Sequence, residues 1–372
     1  MAVRIIEVED RPGLRRWVRF PLDHYRGHPY RVPPLTSDEL AYFDPRRNPA
    51  YEVAEVRLFL AVAGERPVGR VCGIVNALEV EKLGYRRGRF GWLEATADPE
   101  VGKALLDAVC HWLRGRGCTE VTGPQGFADL DPEGLLIEGF DRLPTVSGSY
   151  NLPYYQDILE GYGLRKAVDY VEYRCRVPDE SGLIERLRRR YAGTDRYRVH
   201  TCKTRRELVS YAGRLWELIE ATFAPLYGVV PLTRRQTEFY TRRYFAYLDP
   251  QFVKLPLSST GELVGFFVGM PNLSRGFHRA GGRLLPFGLL PILRDYRRPE
   301  TVDFLLAGVK PGEPSGLITA ITLIDMVDTL RRRGVRFLET NRELEDNTTV
   351  NRIWLNFERD YFRRSRVYRM DL

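Results

Sequence analysis

The sequence lacks a long apolar segment. Its 372 residues contain no run of 18 or more apolar residues, which excludes an ordinary membrane-spanning helix. The first residues, MAVRIIEVEDRPG, are interrupted by acidic side chains and do not form a secretory signal peptide. The five cysteines form no CxxC pair and are odd in number, which favours reduced thiols over a disulfide framework. We therefore expect a cytoplasmic protein.

Lysine is scarce, although the chain is basic. Six of the 57 Lys and Arg residues are lysine, and the net charge is +8 with 49 acidic residues interspersed. No zinc-finger spacing, RNP-like strand or arginine-rich tail is present, so we expect no nucleic-acid partner. His24 and His28 have the HxxxH spacing, but Gly27 and Pro29 interrupt it and no third ligand is evident. We therefore expect no metal site, and a loop or surface role for both histidines.

The stretch from Val302 to Asn347 has the pattern strand, tight turn, helix, strand. Val302–Val309 is an apolar run of strand length, and Ser315 is a candidate N-cap for the helix that follows. Apolar residues recur at helical spacing from Leu317 to Leu330. A strand that leads through a turn to a helix N-terminus is a natural phosphate seat, because free N–H groups and the helix dipole both point there.

The two halves of the chain repeat the same landmarks. Each half contains a hairpin, then a strand followed by a helix, and then another strand. Equivalent residues lie at similar offsets, 195 to 196 residues apart, in the pairs Gly69 and Gly265, Asn151 and Asn347, and Tyr173 and Tyr368. The repeat predicts two copies of one α/β unit, with domains at 1–180 and 195–372.

Two segments carry a resemblance to a known family. They are YNLPYYQDILEGYGLRKAVDYVEYRC in the first half and ELEDNTTVNRIW…DYFRRSRVYRM in the second. With the order of elements, they resemble the GNAT (acyl-CoA N-acyltransferase) superfamily, and nearly the whole chain resembles an uncharacterised bacterial group of tandem GNAT-like proteins. The resemblance implies an α/β fold of two tandem GNAT-like domains, each with a mixed, mostly antiparallel central sheet flanked by helices.

The resemblance also implies an acyl-CoA co-substrate, either acetyl-CoA or another acyl-CoA. In this family the pantetheine lies in a gap between two parallel strands, and the pyrophosphate lies on the turn before the central helix. The matching positions are Gly102 and Lys103 in the first half, and Val309, Ser315, Gly316, Leu317 and Asn347 in the second. Both turns depart from the usual glycine-rich pattern: the second contains two prolines, which lack N–H donors, and Glu313, which repels a phosphate.

Acyl transfer to an amine requires a base, a donor to the thioester oxygen and an acid for the leaving thiolate. Glu94 is the carboxylate inside an apolar strand, and burial would raise its pKa toward that of a useful base. The resemblance implies that Tyr154 or Tyr155, which follow Asn151 in the segment that matches the family, is the acid. Tyr368 is a further catalytic candidate on the last strand. The alternatives are a surface Glu94, packed tyrosines and an Asn347 that caps a helix.

The segment 283–298 is strongly apolar with basic flanks. It is either an arm that covers the core, or an acyl-chain channel or membrane-surface patch. The leading hypothesis is an acyl-CoA-dependent N-acyltransferase, acting as an N-acetyltransferase by direct attack of a small-molecule amine. Two alternatives stay open: a long-chain acyl-CoA transferase acting on a lipid amine, and a catalytically degenerate GNAT-like binding protein.

Overall fold

The computed structural model describes residues 3–179 and 182–372, with the side chains of 349 and 360–362 left out. The strands are β1 (Val3–Glu7), β2 (Ala54–Ala63), β3 (Arg66–Asn76), β4 (Arg87–Ala95), β5 (Glu120–Gly123), β6 (Leu135–Glu138), β7 (Arg165–Arg176), β8 (Tyr197–His200), β9 (Val253–Ser258), β10 (Gly265–Pro271), β11 (Thr301–Val309), β12 (Phe337–Thr340), β13 (Glu343–Leu344) and β14 (Arg359–Asp371). The helices are α1 (Arg11–His24), α2 (Thr36–Tyr42), α3 (Ala77–Leu83), α4 (Pro99–Gly115), α5 (Tyr155–Gly161), α6 (Leu183–Arg190), α7 (Arg205–Ser210), α8 (Ala212–Phe223), α9 (Arg234–Tyr244), α10 (Ser274–Ala280), α11 (Leu289–Arg297), α12 (Ser315–Arg332) and α13 (Thr348–Trp354).

The chain forms two compact units that are not continuous in sequence. Unit 1 contains residues 3–171 together with Ser274–Ile292 and Arg363–Leu372, and unit 2 contains residues 172–273 and 293–362. The predicted domains 1–180 and 195–372 follow chain order, whereas each compact unit contains residues from both halves of the chain.

The sheet of unit 1 runs in the order β1, β2, β3, β4, β5, β14, with β6 also paired to β14. The β4–β5 pair is parallel, and the pairs β1–β2, β2–β3, β3–β4 and β14–β5 are antiparallel. The sheet of unit 2 has the same pattern, in the order β8, β9, β10, β11, β12, β7, with β11–β12 parallel. The predicted fold class is confirmed: each unit has a mixed, mostly antiparallel sheet flanked by helices.

Helices pack on both faces of the sheet in unit 1. Along β3, Gly69 faces α4, since a Cβ there would lie 2.7 Å from a Leu105 methyl. The next residue points to the other face, where the Arg70 guanidinium donates to the Trp17 carbonyl of α1. Gly73 also lies beneath α4, where a Cβ would lie 2.9 Å from the Trp112 ring. These glycines let the helix approach the sheet closely.

Unit 2 repeats this layering. A Cβ on Gly265 of β10 would lie 3.3 Å from Ile318 of α12. The adjacent Phe266 packs in a core with Leu215 and Leu218 of α8. Within residues 3–179 and 182–372, no helix is both long and apolar enough to cross a bilayer.

Candidate functional site

The central strands of the two units end in equivalent positions. Ala95 of β4 pairs with Gly69, and Val309 of β11 pairs with Gly265. The next residue along each strand donates its amide to the hairpin strand, at 2.9 Å in both units. Because hydrogen bonds alternate along an antiparallel pair, the peptide groups of Ala95 and Val309 point to the opposite edge. At that edge the parallel partner strand has already ended, since the last parallel pairs are Arg89–Thr122 and Phe304–Thr340.

A β-bulge lies just before each strand end. Between the pairs Cys72–Gly91 and Arg70–Glu94, β4 contains two residues and β3 contains one. Trp92 in this bulge has φ of 49°, an uncommon backbone conformation for a non-glycine residue. In β11 the register shifts in the same way opposite Val268 and Gly269. Bulges of this kind bend a strand and open its pairing to a neighbour.

In unit 1, tyrosine hydroxyls form hydrogen bonds with the backbone at the end of β4. The Ala95 carbonyl accepts hydrogen bonds from Tyr154 at 2.6 Å and from Tyr155 at 2.9 Å. The Ala95 N–H donates to the Tyr155 hydroxyl at 2.8 Å. The two rings are stacked with centroids 4.7 Å apart at the start of α5. The backbone groups that face the open edge are therefore already bonded within the protein.

A histidine joins this cluster from the end of α1. His24 Nε2 lies 3.1 Å from the Tyr154 hydroxyl and 3.3 Å from the Tyr155 hydroxyl. Burial lowers the pKa of His24, with the Glu94 charge opposing it, so the imidazole is neutral at neutral pH. Burial raises the pKa of Tyr154 and that of Tyr155. A neutral imidazole beside a protonated phenol is an acid–base pair in reach of the strand end.

Glu94 is buried, but both of its oxygens are occupied. Its Oε1 accepts from Arg31 at 2.8 Å, and its Oε2 accepts from Arg70 at 2.8 Å. Arg70 is fully buried, lies over the Trp17 ring with its Cζ 4.2 Å from the centroid, and also faces Glu39 at 3.5 Å. Burial raises the pKa of Glu39, with Arg70 opposing it. Glu94 therefore belongs to a buried ion-pair group with Arg31 and Arg70.

In unit 2 the corresponding end of β11 is more exposed than the end of β4 in unit 1. Leu305–Val309 are only half-buried, whereas the same part of β4 is mostly buried. The strand leads to α12, which begins at Ser315 after the N-cap residue Pro314. The prediction that Ser315 is the N-cap is therefore wrong by one residue, and no described side chain caps this helix. Ser315 and Gly316 are exposed, and a Cβ on Gly316 would contact nothing within 4 Å.

Comparisons with known proteins bear on this arrangement. Protein YghO of Escherichia coli K12 is 26% identical over 368 residues, covering 95% of this chain and 92% of that protein. A bacterial ceramide synthase of Caulobacter vibrioides is 29% identical over 296 residues, covering 78% of this chain and 75% of that enzyme. A tandem GNAT protein from the clavulanic acid biosynthesis pathway superposes with a TM-score of 0.58 at 13% identity, covering 100% of this chain and 98% of that one. No family model matches the chain.

The chain has the tandem GNAT fold. The predicted resemblance is thereby confirmed at the level of the fold. In both GNAT units the strand end and the following helix occupy corresponding places, so Ala95 with α4 and Val309 with α12 can be compared directly.

The starts of the two helices that follow these strand ends differ in charge. Gly102 on α4 lies against α5, where a Cβ would be 2.3 Å from Ile158, so the glycine permits helix packing. Lys103 is exposed and pairs with Asp107 at 2.7 Å. Asp98 caps α4 by accepting from the Glu100 amide at 3.0 Å, and both carboxylates stand at the helix N-terminus. In unit 2 the first turn of α12 contains no acidic residue, and Glu313 just before it accepts from the Tyr197 hydroxyl at 2.7 Å.

The remaining predicted site residues have structural partners. Asn347 caps α13, its side chain accepting from the Val350 amide at 3.4 Å. Leu317 is half-buried in the first turn of α12. Tyr368 is fully buried in the core of unit 1, and its hydroxyl donates to Glu160 at 3.0 Å. The structure brings together Glu94, Tyr154 and Tyr155 around Ala95. In unit 2, Val309 ends β11, and the exposed start of α12 follows after a short turn.

The sequence analysis missed His24 and the two arginines. The expectation that His24 has a loop or surface role is wrong, because the residue ends α1 and contacts both tyrosines. Its neighbour Tyr25 follows on the same turn and donates to Tyr155 at 3.3 Å. The aromatic pair His24-Tyr25 at the end of an amphipathic helix was the available signal.

One group in the described part of the chain has the composition of a metal site. His200, Cys202 and Glu207 have ligand atoms within 4.8 Å of one another. The Glu207 oxygens, however, lie 2.9 Å from His200 Nε2 and 2.8 Å from the Lys203 amide, which donates to one of them. These contacts fix the start of α7 and account for the carboxylate without a metal.

Proposed function

We propose that this protein is an acyl-CoA-dependent N-acyltransferase, with the acyl-CoA on unit 2. The observation that carries the proposal is the half-buried end of β11, which leads directly to the exposed, uncapped start of α12. The Val309 N–H points to the edge where a thioester oxygen would lie. The backbone amides of Ser315 and Gly316 would hold phosphate, aided by the helix dipole.

The reaction needs few protein groups. A neutral amine attacks the thioester carbonyl, the C–N bond forms, and the C–S bond breaks. The nitrogen loses a proton, and the CoA thiolate gains one. The Val309 N–H would stabilise the oxygen as negative charge develops on it, which is the largest electrostatic contribution expected in acyl transfer.

The acceptor we propose is a long-chain amine, and the donor a long-chain acyl-CoA. The support is the 29% identity to a bacterial ceramide synthase over 78% of this chain. A ceramide is the amide of a fatty acid and a long-chain amino alcohol, so an enzyme of this kind joins two apolar substrates through an amine. Acetyl transfer to a small amine is the alternative.

A second location for the chemistry is the cluster around Ala95 in unit 1. His24 and Tyr154 favour it, since they form an acid–base pair 3.1 Å apart. In this version His24 takes the amine proton, and Tyr154 protonates the thiolate. The tyrosines would have to leave the Ala95 peptide before pantetheine could pair with it, which is why we prefer unit 2.

The test measures thiol release from acetyl-CoA and from palmitoyl-CoA with a small amine and with sphinganine. Val309→Pro removes the one N–H that the mechanism uses and spares the hairpin, so kcat should fall about 100- to 1,000-fold. Gly316→Asp places a charge where phosphate would bind, and should weaken acyl-CoA binding about tenfold or more in calorimetry. Lys103→Glu, at an exposed residue one turn into α4 of unit 1, is the control and should change neither quantity.

The outcomes separate the candidates. Loss of activity in His24→Ala and Tyr154→Phe, with Val309→Pro fully active and equally folded by circular dichroism, would move the chemistry to unit 1. Absence of both thiol release and acyl-CoA binding with either chain length would leave the degenerate binding protein as the correct description.

A further inference from the structure

An apolar patch is exposed on unit 1, within six residues of sequence. Leu285 is 80% exposed, Phe287 74%, Leu290 64% and Leu289 42%. Single exposed apolar residues are ordinary, but a group of large ones in one short segment marks a contact surface. We call residues 285–290 the apolar loop.

The apolar loop is held in place at its base. The Thr36 amide and hydroxyl both lie within hydrogen-bond distance of the Gly282 carbonyl, at 3.1 and 3.2 Å. A turn then closes, with the Leu289 amide donating to the Leu284 carbonyl at 3.0 Å. Gly288 lies so close to Arg283 that a Cβ would be 1.9 Å from its carbonyl oxygen. The apolar side chains are therefore presented outward by a tight, anchored turn.

A basic cleft of about 400 Å³ lies beside the loop in the same unit. Its arginine, histidine and acidic lining residues are four arginines, two histidines and one aspartate: Arg19, Arg26, Arg31, Arg283, His28, His278 and Asp23. Asp23 pairs with both Arg19 and Arg26, and Arg31 pairs with Glu94 outside the cleft lining. The lining thus keeps an excess of positive charge beside an apolar surface.

We infer that this face of unit 1 docks on an anionic phospholipid bilayer. The apolar loop would enter the headgroup–acyl boundary, and the basic cleft would take lipid phosphates. Apolar insertion combined with attraction to anionic lipid is the usual basis of peripheral membrane binding. A second copy of this chain is the poorer partner, because the same cationic face would meet itself and the chain carries a net charge of +8. The inference does not rest on the proposed reaction.

The experiment is co-sedimentation of the full chain with phosphatidylcholine vesicles, with and without phosphatidylglycerol, in the absence of substrates. We expect binding to the anionic vesicles that weakens as salt rises. Leu285→Ser combined with Phe287→Ser should lower the partition coefficient about tenfold or more. Arg283→Glu should lower binding to anionic vesicles only. Leu355→Ser, at a residue 56% exposed in unit 2, is the matched control and should bind as the parent does.

Three results would overturn the inference. They are no sedimentation with anionic vesicles, unchanged sedimentation of the correctly folded double variant, and a parent dimer in light scattering that the double variant turns into a monomer. Thiol release measured with detergent-dispersed substrates reports the proposed reaction separately, so failure of one idea leaves the other standing.

Discussion

The Tyr155 hydroxyl has more partners than any other group near the end of β4. It bonds both the N–H and the C=O of Ala95, and it accepts from Tyr25. Tyr155→Phe should therefore leave a buried backbone amide without its acceptor, at a cost of about 1–3 kcal/mol in unfolding free energy. Urea denaturation followed by circular dichroism measures this loss.

Tyr162→Phe is the matched control for that measurement. The Tyr162 hydroxyl donates to Asp107 at 2.8 Å on an exposed surface, where water can replace it. We expect a loss well below that of Tyr155→Phe. Equal losses of unfolding free energy would contradict the prediction. They would mean that the hydrogen bonds between the Tyr155 hydroxyl and Ala95 do not stabilise the end of β4.

Residue identity alone could not predict the partners of the site. The sequence places Glu94 inside an apolar strand, and the carboxylate is indeed buried. Its two arginines lie 24 and 63 residues away along the chain, on a neighbouring strand and in a proline-rich elbow. Which charge meets which depends on tertiary packing, and no local pattern contains that information.

At the scale of elements, helical and strand periodicity was sufficient for much of the fold. The predicted strand Val302–Val309 is observed as Thr301–Val309, and the predicted helix after it is α12. The helix cap was missed because Ser315 and Pro314 are both plausible terminal residues, and backbone geometry chooses between them. The hydrogen bonds from Tyr154 and Tyr155 to Ala95 were missed because they form only when the start of α5 packs against the end of β4, which is a tertiary contact.

Strand β14 is tied to β7 within unit 1 by Asp169. Burial alone would raise the pKa of this carboxyl, but hydrogen bonds from Arg366 and Lys166 outweigh burial and hold the pKa at about 2, against an ordinary 3.8. A lowered folded-state pKa contributes stability above the unfolded value, and this stability is lost as pH falls from about 4 toward 2. Asp169→Asn should cost about 1–3 kcal/mol at neutral pH.

The same substitution should flatten the acid limb of the stability curve between about pH 4 and pH 2, because the group no longer titrates. Denaturant unfolding at several pH values measures both effects. Asp23→Asn is the control, since Asp23 is an exposed carboxylate paired with Arg19 and Arg26, and its unfolding free energy at neutral pH should stay close to that of the parent. A parent-like acid limb in Asp169→Asn would show that this ion-pair group does not stabilise the strand.

At the scale of the molecule, the sixth strand of each unit's sheet comes from the opposite half of the chain. We call this the strand exchange. The sixth strand of unit 1 is β14 from the end of the chain, and the sixth strand of unit 2 is the second part of β7. The sequence repeat pairs Tyr173 with Tyr368 correctly as equivalent positions. It could not show the exchange, because a repeat fixes the order of elements within each copy but not the sheet that a terminal strand joins.

Removal of residues 363–372 tests the exchange. Tyr368 pairs with Gly123 and Met370 with Val121, so truncation strips a neighbour from β5 and two fully buried residues, Val367 and Tyr368, from unit 1. Hydrogen exchange should then accelerate at the amides of Glu120–Gly123, because their partner strand is gone. The amides of Phe337–Thr340 in unit 2 should keep their protection, since β7 still pairs with them. If the last strand instead closed the sheet of its own half, the truncation would deprotect Phe337–Thr340 and leave β5 unchanged.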